Sequence, residues 1–519
     1  MDVSENNWQE RVVVISKPEQ SGKTFIMIDN IKNNLNEEIS DSKKRTLNII
    51  FCDNSLLLTQ QTGNRITNEL QLINTGDGET LYLMLSSQSK CNKVENAIGR
   101  IIMYPELSNI LCCTNNTRMS DIKNLVLALN SIQQNNITFR IWLDEADKYC
   151  NYIRDVFKPC VSNNTNVYLY LMTATTSSEF FKPEILGNEI WFYPIEDPTH
   201  ESYHGWTDNN VRIYEDKSNF IDFVNNRLQE CKKDNLIKPG DIWFIPALSR
   251  KQTHMNVAEL CNQYNMAVII TNGDGISIKL PTSEVIGPIS KNRSLDDILK
   301  DIYIKYNLNR YPLAVTGHVC IGRGVTLWKN EFRPNFAIIN EKLSSESREL
   351  SQIAGRMKGS FKQWPNFVPP TIFTTRKFHD NAVKWEKRAC DLARIAYDKE
   401  RENLKPTITK FEYDKVAGQD YVPIFKEISL DEAKKEGATM RGRKKDSNGN
   451  YLAAKDLLHL DGVKWPNDKP IEEATLENNP DLQYVKNRGW GLVNGKLGSK
   501  RFVPLNNGKW CMYWKEKKK

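Results

Sequence analysis

The chain has 519 residues, of which 39% are hydrophobic and 26% are charged, a balance typical of a folded protein with several domains. The net charge is +7, and residues 401–519 hold the surplus with 24 Lys or Arg against 17 Asp or Glu, so that region is the candidate for contact with a polyanion. We find no run of about 18 apolar residues, no secretion signal and no zinc-binding spacing among the eleven cysteines, and therefore expect an intracellular protein, of the cytoplasm or nucleus, without a membrane span.

Short apolar runs alternate along the chain with longer segments of helical spacing, and this alternation predicts an α/β fold with parallel sheets. The predicted strands form two series, 11–15, 47–52, 109–113, 139–143 and 167–172, then 242–246, 267–271, 313–316 and 335–339. We therefore expect two lobes, a helical connector and a basic accessory region, with the bounds 1–205, 206–375, 376–404 and 405–519. Within the accessory region, residues 440–450 are predicted to form an exposed basic loop.

The first candidate site lies in the segment VVVISKPEQSGKTFIMI, residues 12–28. Residues 17–24 match the phosphate-loop pattern G-x-x-x-x-G-K-[ST] between a strand and a helix, except that Lys17 replaces the first glycine. In such a loop, backbone N–H groups and the helix N-terminus hold phosphates, the lysine reaches the β- and γ-phosphates, and the hydroxyl binds Mg²⁺. A chance turn is the alternative for this segment alone. The predicted nucleotide-binding residues are Gln20, Ser21, Gly22, Lys23 and Thr24, with Thr24 also a metal ligand.

The second candidate site is FRIWLDEADKY, residues 139–149, an apolar strand that runs directly into Asp144-Glu145-Ala146-Asp147. A carboxylate at the C-terminal end of a neighbouring parallel strand is where a Mg²⁺–nucleotide centre needs one. Asp144 is the predicted metal ligand, and Glu145 is predicted to orient the attacking water. An acidic turn without chemistry is the alternative, but the position about 120 residues after the phosphate loop favours a nucleotide site.

Three further segments follow in a fixed order. LYLMTATTSS ends a strand with Thr173-Ala174-Thr175, AVTGHVCIGRGVTLW contains Arg323-Gly324, and ELSQIAGRMKGS contains Gln352, Gly355 and Arg356. With the two sites above, this order resembles the superfamily 2 helicases and translocases of the DExD/H type over roughly residues 10 to 375. The resemblance matches motif I to Lys23-Thr24, motif II to Asp144–Asp147, motif III to Thr173–Thr175, motif V to Arg323-Gly324 and motif VI to Gln352–Arg356.

The resemblance implies two RecA-like lobes that bind ATP and Mg²⁺ in the cleft between them. The implied catalytic residues are Lys23, Asp144, Glu145, Gln352 and Arg356, and Arg323, Gly324 and Gln9 are implied to be further nucleotide contacts. Gln9 stands for the family's upstream glutamine, although it lies closer to the loop than usual. In the family, motif VI usually ends Gly-Arg-x-x-Arg, but here Gly359 takes the last position beside Lys358, which leaves Arg356 as the arginine finger.

The resemblance also implies nucleic acid as the partner, bound across both lobes through its backbone. The predicted contacts follow strands near motifs Ia, Ib, IV and V and are Gln61, Thr62, Arg65, Thr114, Arg118, Ser249, Arg250 and Thr326. In the accessory region, Arg441, Arg443, Lys444 and Lys445 are candidates for phosphate contact. Trp510 or Trp514 could stack on bases, although a small aromatic core is the favoured interpretation of these tryptophans.

The function implied by the resemblance is an ATP-dependent helicase or translocase, on DNA in preference to RNA. An RNA helicase, or a nucleic-acid clamp with weak or lost ATPase activity, are the open alternatives. The altered loop and motif VI keep the clamp open, whereas the occupied charged catalytic positions argue against it. The abundance of Asn and Lys is similar to that of viral and phage helicases.

Overall fold

The computed structural model of the chain describes most of the first 418 residues and short parts of the remainder. The described ranges are 8–40, 45–52, 56–70, 82–86, 93–104, 107–132, 137–282, 284–289, 295–318, 327–418, 421–429, 431–432, 441–445, 451–453, 501–504 and 510–517.

The chain divides into two compact units. The first unit comprises Met1–Phe180, Glu184–Leu186 and Ile190–Thr407, and the second comprises Phe181–Pro183, Gly187–Glu189 and Ile408–Lys519. The first unit contains two α/β lobes that follow one another along the chain.

The first lobe is built on a parallel sheet. Its strands are β1 (Val12–Ser16), β2 (Arg45–Cys52), β3 (Leu83–Leu85), β4 (Asn109–Cys113), β5 (Ile137–Leu143), β6 (Val167–Thr173) and β7 (Glu189–Phe192), and they run in the order β7-β1-β6-β5-β2-β4-β3. Its helices are α1 (Lys23–Ser40), α2 (Leu56–Leu70), α3 (Val94–Met103), α4 (Asn116–Ile132), α5 (Cys150–Tyr152) and α6 (Lys158–Asn163). The strands are runs of branched apolar residues because helices shield the sheet from water, and Val14, Ile49, Ile141 and Leu169 are all completely buried.

The second lobe has an eight-stranded sheet in the order β12-β11-β10-β13-β9-β14-β15-β8. These strands are β8 (Asn210–Tyr214), β9 (Ile242–Phe244), β10 (Ala267–Asn272), β11 (Gly275–Lys279), β12 (Val285–Ile289), β13 (Leu313–Gly317), β14 (Phe336–Ile339) and β15 (Thr371–Thr375). The β10–β11 and β11–β12 pairs are antiparallel, and the other pairs are parallel. Its helices are α7 (Phe220–Lys233), α8 (Lys251–Asn262), α9 (Leu295–Lys305) and α10 (Ser347–Ala354).

These two lobes confirm the predicted fold of two tandem RecA-like α/β domains. All nine predicted strands are present, each within two residues of its predicted ends. The order β1-β6-β5 has a direct consequence for the site. It brings the segments that follow these strands, the phosphate loop and the acidic segment among them, to the same edge of the sheet.

A long helix, α11 (Arg376–Arg401), follows the second lobe. The hydroxyl of Thr375 caps its first turn by accepting the N–H of Phe378. The 26 residues contain neither Gly nor Pro, so the backbone hydrogen bonds continue without interruption. The hydroxyl of Ser16, at the end of β1, donates to the carbonyl of Ala389, so this helix also contacts the first lobe.

The second unit contains β16 (Thr407–Thr409), whose last residues belong to it, and α12 (Lys410–Val416). Thr409 and Glu412 form a capping box at the start of this helix. Three strands, β17 (Tyr421–Ile428), β20 (Arg501–Pro504) and β21 (Trp510–Lys517), form an antiparallel sheet in the order β17-β21-β20. Two others, β18 (Arg441–Lys445) and β19 (Tyr451–Ala453), form an antiparallel pair.

The prediction of a loop over 440–450 is wrong for Arg441–Lys445, which form the strand β18. The sequence between β18 and β19 contains Asn448-Gly449, a dipeptide typical of β-hairpins, and basic residues are common on strands at sheet edges. We gave more weight to the charge of this segment than to its hairpin dipeptide.

In the described part of the chain, no helix is both long and apolar enough to cross a membrane.

Candidate active site

The loop between β1 and α1 is shaped by two residues with left-handed backbones, Gln20 (φ 55°) and Gly22 (φ 98°). Glycine adopts this conformation freely, whereas a residue with a Cβ is strained in it. The N–H and the hydroxyl of Ser21 both donate to the carbonyl of Pro18, at 3.4 and 2.8 Å, and close the loop. The loop therefore has a defined conformation that leads directly into the N-terminus of α1.

Lys23 is the first residue of α1, and its side chain turns back into the loop. The ammonium donates to the carbonyls of Lys17 at 3.4 Å and Pro18 at 3.2 Å. The N–H groups in the first turn of this 18-residue helix add positive potential at the same place. This combination of backbone N–H groups and an ammonium is suited to binding phosphate.

Asp144 and Glu145 follow the end of β5. Because β6 lies between β1 and β5, two strand spacings, about 10 Å, separate the phosphate loop's strand from that of the carboxylates. The backbone of Glu145 is left-handed (φ 52°), and its N–H donates to the carboxylate of Asp144 at 3.0 Å. The spacing leaves room between the loop and the carboxylates for a polyphosphate and a metal ion.

The second lobe contributes Gln352 from α10 and Arg356 from the turn after it. The amide of Gln352 donates to both carboxylate oxygens of Glu145, each at 2.8 Å. Arg356 is only 2% exposed, and its carbonyl accepts the indole N–H of Trp328 at 2.8 Å. Burial lowers the pKa of Arg356 to about 10, while the carboxylates of Glu145 and Glu19 oppose this effect. The guanidinium therefore remains charged at neutral pH.

Asp147 is a third carboxylate, and it is enclosed behind the other two. It accepts the hydroxyls of Thr173 at 2.7 Å and Thr175 at 2.9 Å. Burial raises the pKa of Asp147 to about 6, the charge of Glu145 adds to the increase, and the two hydroxyls and Arg348 oppose it. Arg348 of the second lobe also donates to the carbonyl of Asp147 at 3.0 Å. Asp147 thus links the ends of β5 and β6 to the second lobe.

These groups line a cavity of about 710 Å³, within the usual size range of ligand sites. Both lobes contribute to it, and the predicted residues that line it are Gln20, Gly22, Lys23, Thr24, Asp144, Glu145, Gln352 and Arg356. Ser21, which belongs to the loop, is fully buried. Arg65, predicted as a nucleic-acid contact, also lines this cavity.

Several lining residues were not predicted from the sequence. Glu19 contributes an acidic side chain from the phosphate loop, and Phe25, Trp328, Phe361 and Trp364 contribute aromatic rings. Phe25 is 64% exposed and directly follows the loop. An apolar residue in that position could have been predicted from the sequence to line the cavity. Trp328, Phe361 and Trp364 come from the second lobe, and their approach to the loop depends on how the two lobes dock.

Some predicted residues lie elsewhere. The amide of Gln9 donates to the carbonyl of Leu186 at 3.3 Å, and Gln9 is not among the described residues that line the cavity. Arg323, Gly324 and Thr326 lie outside the described residues. The nucleotide-binding roles of Gln9, Arg323 and Gly324 stay predictions.

The predicted nucleic-acid contacts differ in exposure. Gln61 and Thr114 are buried, and the hydroxyl of Thr114 donates to the carbonyl of Cys52. Arg118 is 8% exposed and pairs with Asp121 at 3.1 Å. Thr62 is half-buried, whereas Ser249 and Arg250 are exposed just before α8. The side chains of Arg441, Arg443, Lys444, Trp510 and Trp514 lie outside the description, and all these roles stay predictions.

A magnesium ion in this cavity would have few protein ligands. Among the described residues, no cluster of three or more His, Cys, Asp or Glu side chains is arranged to hold a metal. Magnesium usually keeps several waters and binds one or two carboxylates together with substrate phosphates. Thr24 and Asp144 line the same cavity and fit that set of ligands.

No protein-family model matches the sequence, and no curated protein matches it. Among solved structures, the chain is similar to Mss116p bound to ssRNA and AMP-PNP, with 12% identity, a TM-score of 0.42, and coverage of 76% of this chain and 69% of that one. It is also similar to the DUF1998 helicase MrfA bound to DNA and AMPPNP, with 14% identity, a TM-score of 0.41, and coverage of 89% and 60%. The Pyrococcus furiosus Hef helicase domain shows 11% identity, a TM-score of 0.39, and coverage of 75% and 97%. Similarities this distant do not assign the site, whose interpretation rests on its geometry.

Proposed function

We propose that the protein is a nucleic-acid-dependent ATPase of the superfamily 2 type, which couples ATP hydrolysis to movement on, or unwinding of, nucleic acid inside the cell. The observation that carries the proposal is the composition of the cavity. One lobe supplies a phosphate-binding loop and a pair of carboxylates, and the other supplies Gln352 and Arg356. A site divided in this way is complete only when the lobes are together.

The first lobe binds the nucleotide. The ammonium of Lys23 and the N–H groups at the start of α1 hold the β- and γ-phosphates, in place of the loop carbonyls that Lys23 now contacts. Thr24 and Asp144 would hold Mg²⁺, which supplies charge neutralisation at the phosphate oxygens. Lys23 and the helix N-terminus therefore account for affinity, and the remaining groups account for hydrolysis.

Hydrolysis depends on Glu145 and Arg356. Phosphoryl transfer leaves the protein little covalent chemistry to perform, so its contribution is positioning and charge stabilisation. Glu145 orients the attacking water and accepts its proton, and Arg356 stabilises the charge on the transferring phosphoryl group. Gln352 holds both oxygens of Glu145, and at least one of these bonds must be released for the carboxylate to reach water.

The shared site connects chemistry to movement. Arg356 and Gln352 reach the reacting groups only in the closed arrangement of the lobes, so loss of the γ-phosphate weakens the contact that keeps them closed. Nucleic acid bound across both lobes would then be moved by the change. We favour DNA as the track, and Ser249 and Arg250 are the predicted contacts that are exposed in the second lobe.

The decisive experiment is steady-state ATP hydrolysis without nucleic acid and with single-stranded DNA, duplex DNA or RNA. Stimulation by one polymer, absent from Lys23→Ala, would establish the ATPase and identify its track. Stimulation by RNA alone would replace DNA in the proposal. If no polymer stimulates turnover while binding is salt-sensitive, the proposal is wrong and the protein is a nucleic-acid clamp.

A further inference from the structure

The phosphate loop carries an acidic side chain for which the proposed function has no role. Glu19 lies in the middle of the loop, lines the cavity and is 3% exposed. The charge of Lys23, the residue that should bind phosphate, favours the ionised form of Glu19. An uncompensated carboxylate in this place would be costly to bury and would repel the phosphates of a nucleotide. The site therefore requires a positive group that neutralises Glu19.

The second lobe supplies that group. The ammonium of Lys358 lies 2.6 Å from one carboxylate oxygen of Glu19, and Lys358 is completely buried. The hydroxyl of Ser351 donates to the other oxygen. Burial opposes ionisation of Glu19, but Lys358 and Ser351 outweigh it, and the pKa of Glu19 lies below its ordinary value. Burial likewise opposes the charge of Lys358, but Glu19 and Glu386 keep its pKa above the ordinary value.

Lys358 also contacts the region where the lobes are joined. Its ammonium lies 3.4 Å from the carboxylate of Glu386 on α11. That carboxylate accepts the N–H of Trp206 at 3.0 Å and the hydroxyl of Tyr203 at 3.4 Å. Tyr203 in turn lies 3.3 Å from the carbonyl of Glu19, a second acceptor for its hydroxyl. Lys358 therefore connects the phosphate loop to the chain segment between the lobes and to the long helix.

Two glycines let the segment around Lys358 lie directly against the loop. A Cβ added at Gly355 would lie 2.6 Å from the Cβ of Glu19. At Gly359, where φ is 139°, a Cβ would lie 2.9 Å from the side-chain oxygen of Gln20. Arg356 lies between these two glycines. The close approach of the two segments therefore also places the arginine beside the loop.

We propose that Glu19 and Lys358 form a positioning pair, in which Lys358 neutralises the carboxylate of the phosphate loop and holds the Arg356 segment against it. This inference rests on the proposed function. Motif VI lacks its second arginine in this chain, and the basic side chain beside that position serves the loop's own carboxylate. Lys358 acts on the nucleotide through Glu19 and not by contact with it.

The test measures equilibrium binding of a fluorescent ATP analogue and the KM for ATP with the full chain. Lys358→Met leaves Glu19 unpaired, and we expect binding to weaken and KM to rise by about tenfold or more. Removing both charges with Glu19→Gln and Lys358→Met should restore both values to within about threefold of the wild type, because the two effects are coupled. Glu19→Gln alone should bind the analogue at least as tightly as the wild type, since the ammonium of Lys358 still has the carboxylate of Glu386 as its partner.

Lys362→Met is the matched control. Lys362 is an exposed lysine four residues further on, paired with Asp208 at 2.9 Å, and its loss should change neither value. A lysine that only stabilised the fold would lower the melting temperature and leave KM unchanged. If Lys358→Met does not fold, Glu19→Gln and the double variant, which contain no unpaired anion in the loop, decide the question.

The outcomes separate the two proposals. If the double variant binds as weakly as Lys358→Met, or if Glu19→Gln alone is as weak, the pairing is wrong. If the wild type binds the analogue and Lys358→Met binds it equally well, the proposed pair is wrong, whereas the proposed function stands. If the wild-type protein does not bind the analogue at all, the proposed function fails and this inference fails with it.

Discussion

Glu145 and Asp147 are two residues apart, yet their surroundings suit them to different tasks. Glu145 lines the cavity, and its carboxylate is held by the amide of Gln352. Each oxygen of the Asp147 carboxylate accepts one hydroxyl, from Thr173 or Thr175, and the side chain is enclosed by the protein. A group that must accept a proton from water needs access to it, and of these two residues only Glu145 lines the cavity, where release of a bond from Gln352 would expose its carboxylate.

Glu145→Gln should bind ATP normally and hydrolyse it about 10²- to 10⁴-fold more slowly, because the amide can position water but cannot accept its proton. Analogue binding and single-turnover hydrolysis measure the two effects. Glu95→Gln, an exposed change on α3 of the same lobe, is the control and should behave as the wild type. An unchanged rate in Glu145→Gln would remove it as the base.

Asp147 should make stability depend on pH. Its pKa in the folded protein is about 6, above the ordinary value of 3.8, so its ionisation disfavours folding. This penalty is absent below about pH 4, grows as the pH rises and is complete above about pH 6, where it reaches at most about 3 kcal/mol. The free energy of unfolding of the wild type, relative to Asp147→Asn, should therefore fall between pH 4 and 6 and stay constant above 7. Denaturant titrations at each pH measure it, and a difference independent of pH would contradict the assignment.

At the scale of elements, the approach of the turn after α10 to the phosphate loop depends on Gly355. Gly355→Ala would place a methyl group 2.6 Å from the Cβ of Glu19, so the two segments must separate. We expect a loss of about 1–3 kcal/mol of stability and a strong reduction in ATP hydrolysis. Chemical denaturation and steady-state kinetics measure these changes.

Gly99→Ala is the matched control for that substitution. Gly99 lies within α3, and among the described residues no neighbouring atom lies within 4 Å of an added Cβ. Alanine should stabilise this helix by about 0.5–1 kcal/mol and leave hydrolysis unchanged. If both variants lose activity equally, crowding at Gly355 is not the cause.

Strands that are continuous apolar runs were predictable from sequence, whereas strands of mixed composition were missed, including β15 inside the second sheet. β1 and β10 are continuous apolar runs, and their bounds were predicted within one residue. β8 is half-exposed, and its sequence NVRIY mixes polar with apolar residues. β12 contains Gly287-Pro288, a dipeptide more typical of turns, and it pairs antiparallel at the sheet edge. The search for uninterrupted apolar runs therefore missed these two strands.

The same distinction applies to the site. The phosphate loop, Asp144 and Glu145 could be predicted because each follows a recognisable strand, and the family resemblance pointed to Gln352 and Arg356. Glu19 and Lys358 are 339 positions apart, and their contact depends on the docking of two lobes. A Glu or a Lys in a sequence does not by itself predict a buried ion pair, since an isolated Glu or Lys is usually solvated.

At the scale of the whole molecule, the predicted track is tested at Arg250. This residue is exposed just before α8, so reversing its charge should weaken binding to single-stranded DNA by roughly tenfold at low salt without changing affinity for the ATP analogue. Lys233→Glu makes the same charge change at an exposed position of the same lobe and is the control. Fluorescence anisotropy measures both, and equal losses would indicate a nonspecific effect of net charge.

The basic surplus of the C-terminal region gives a second test. Between Val485 and Lys519 there are ten Lys or Arg residues and one acidic residue, Glu516. A chain that ends after Gly418 should bind the ATP analogue normally but bind nucleic acid less tightly. Its affinity should also depend less on salt, because each lost phosphate contact lowers the log–log slope for a single strand by about 0.7. An unchanged slope would show that this region does not contact the backbone.

The phosphate loop also bears on how such proteins are recognised and how they diverge. Its left-handed backbone falls on Gln20 and Gly22, while Lys17, at the position of the first consensus glycine, has an ordinary negative φ. The motif usually has a glycine at this position, but the backbone conformation of this loop does not require one. Genome searches that insist on that letter would overlook relatives built in this way. Other residues at position 17 would therefore leave the backbone of the loop unstrained.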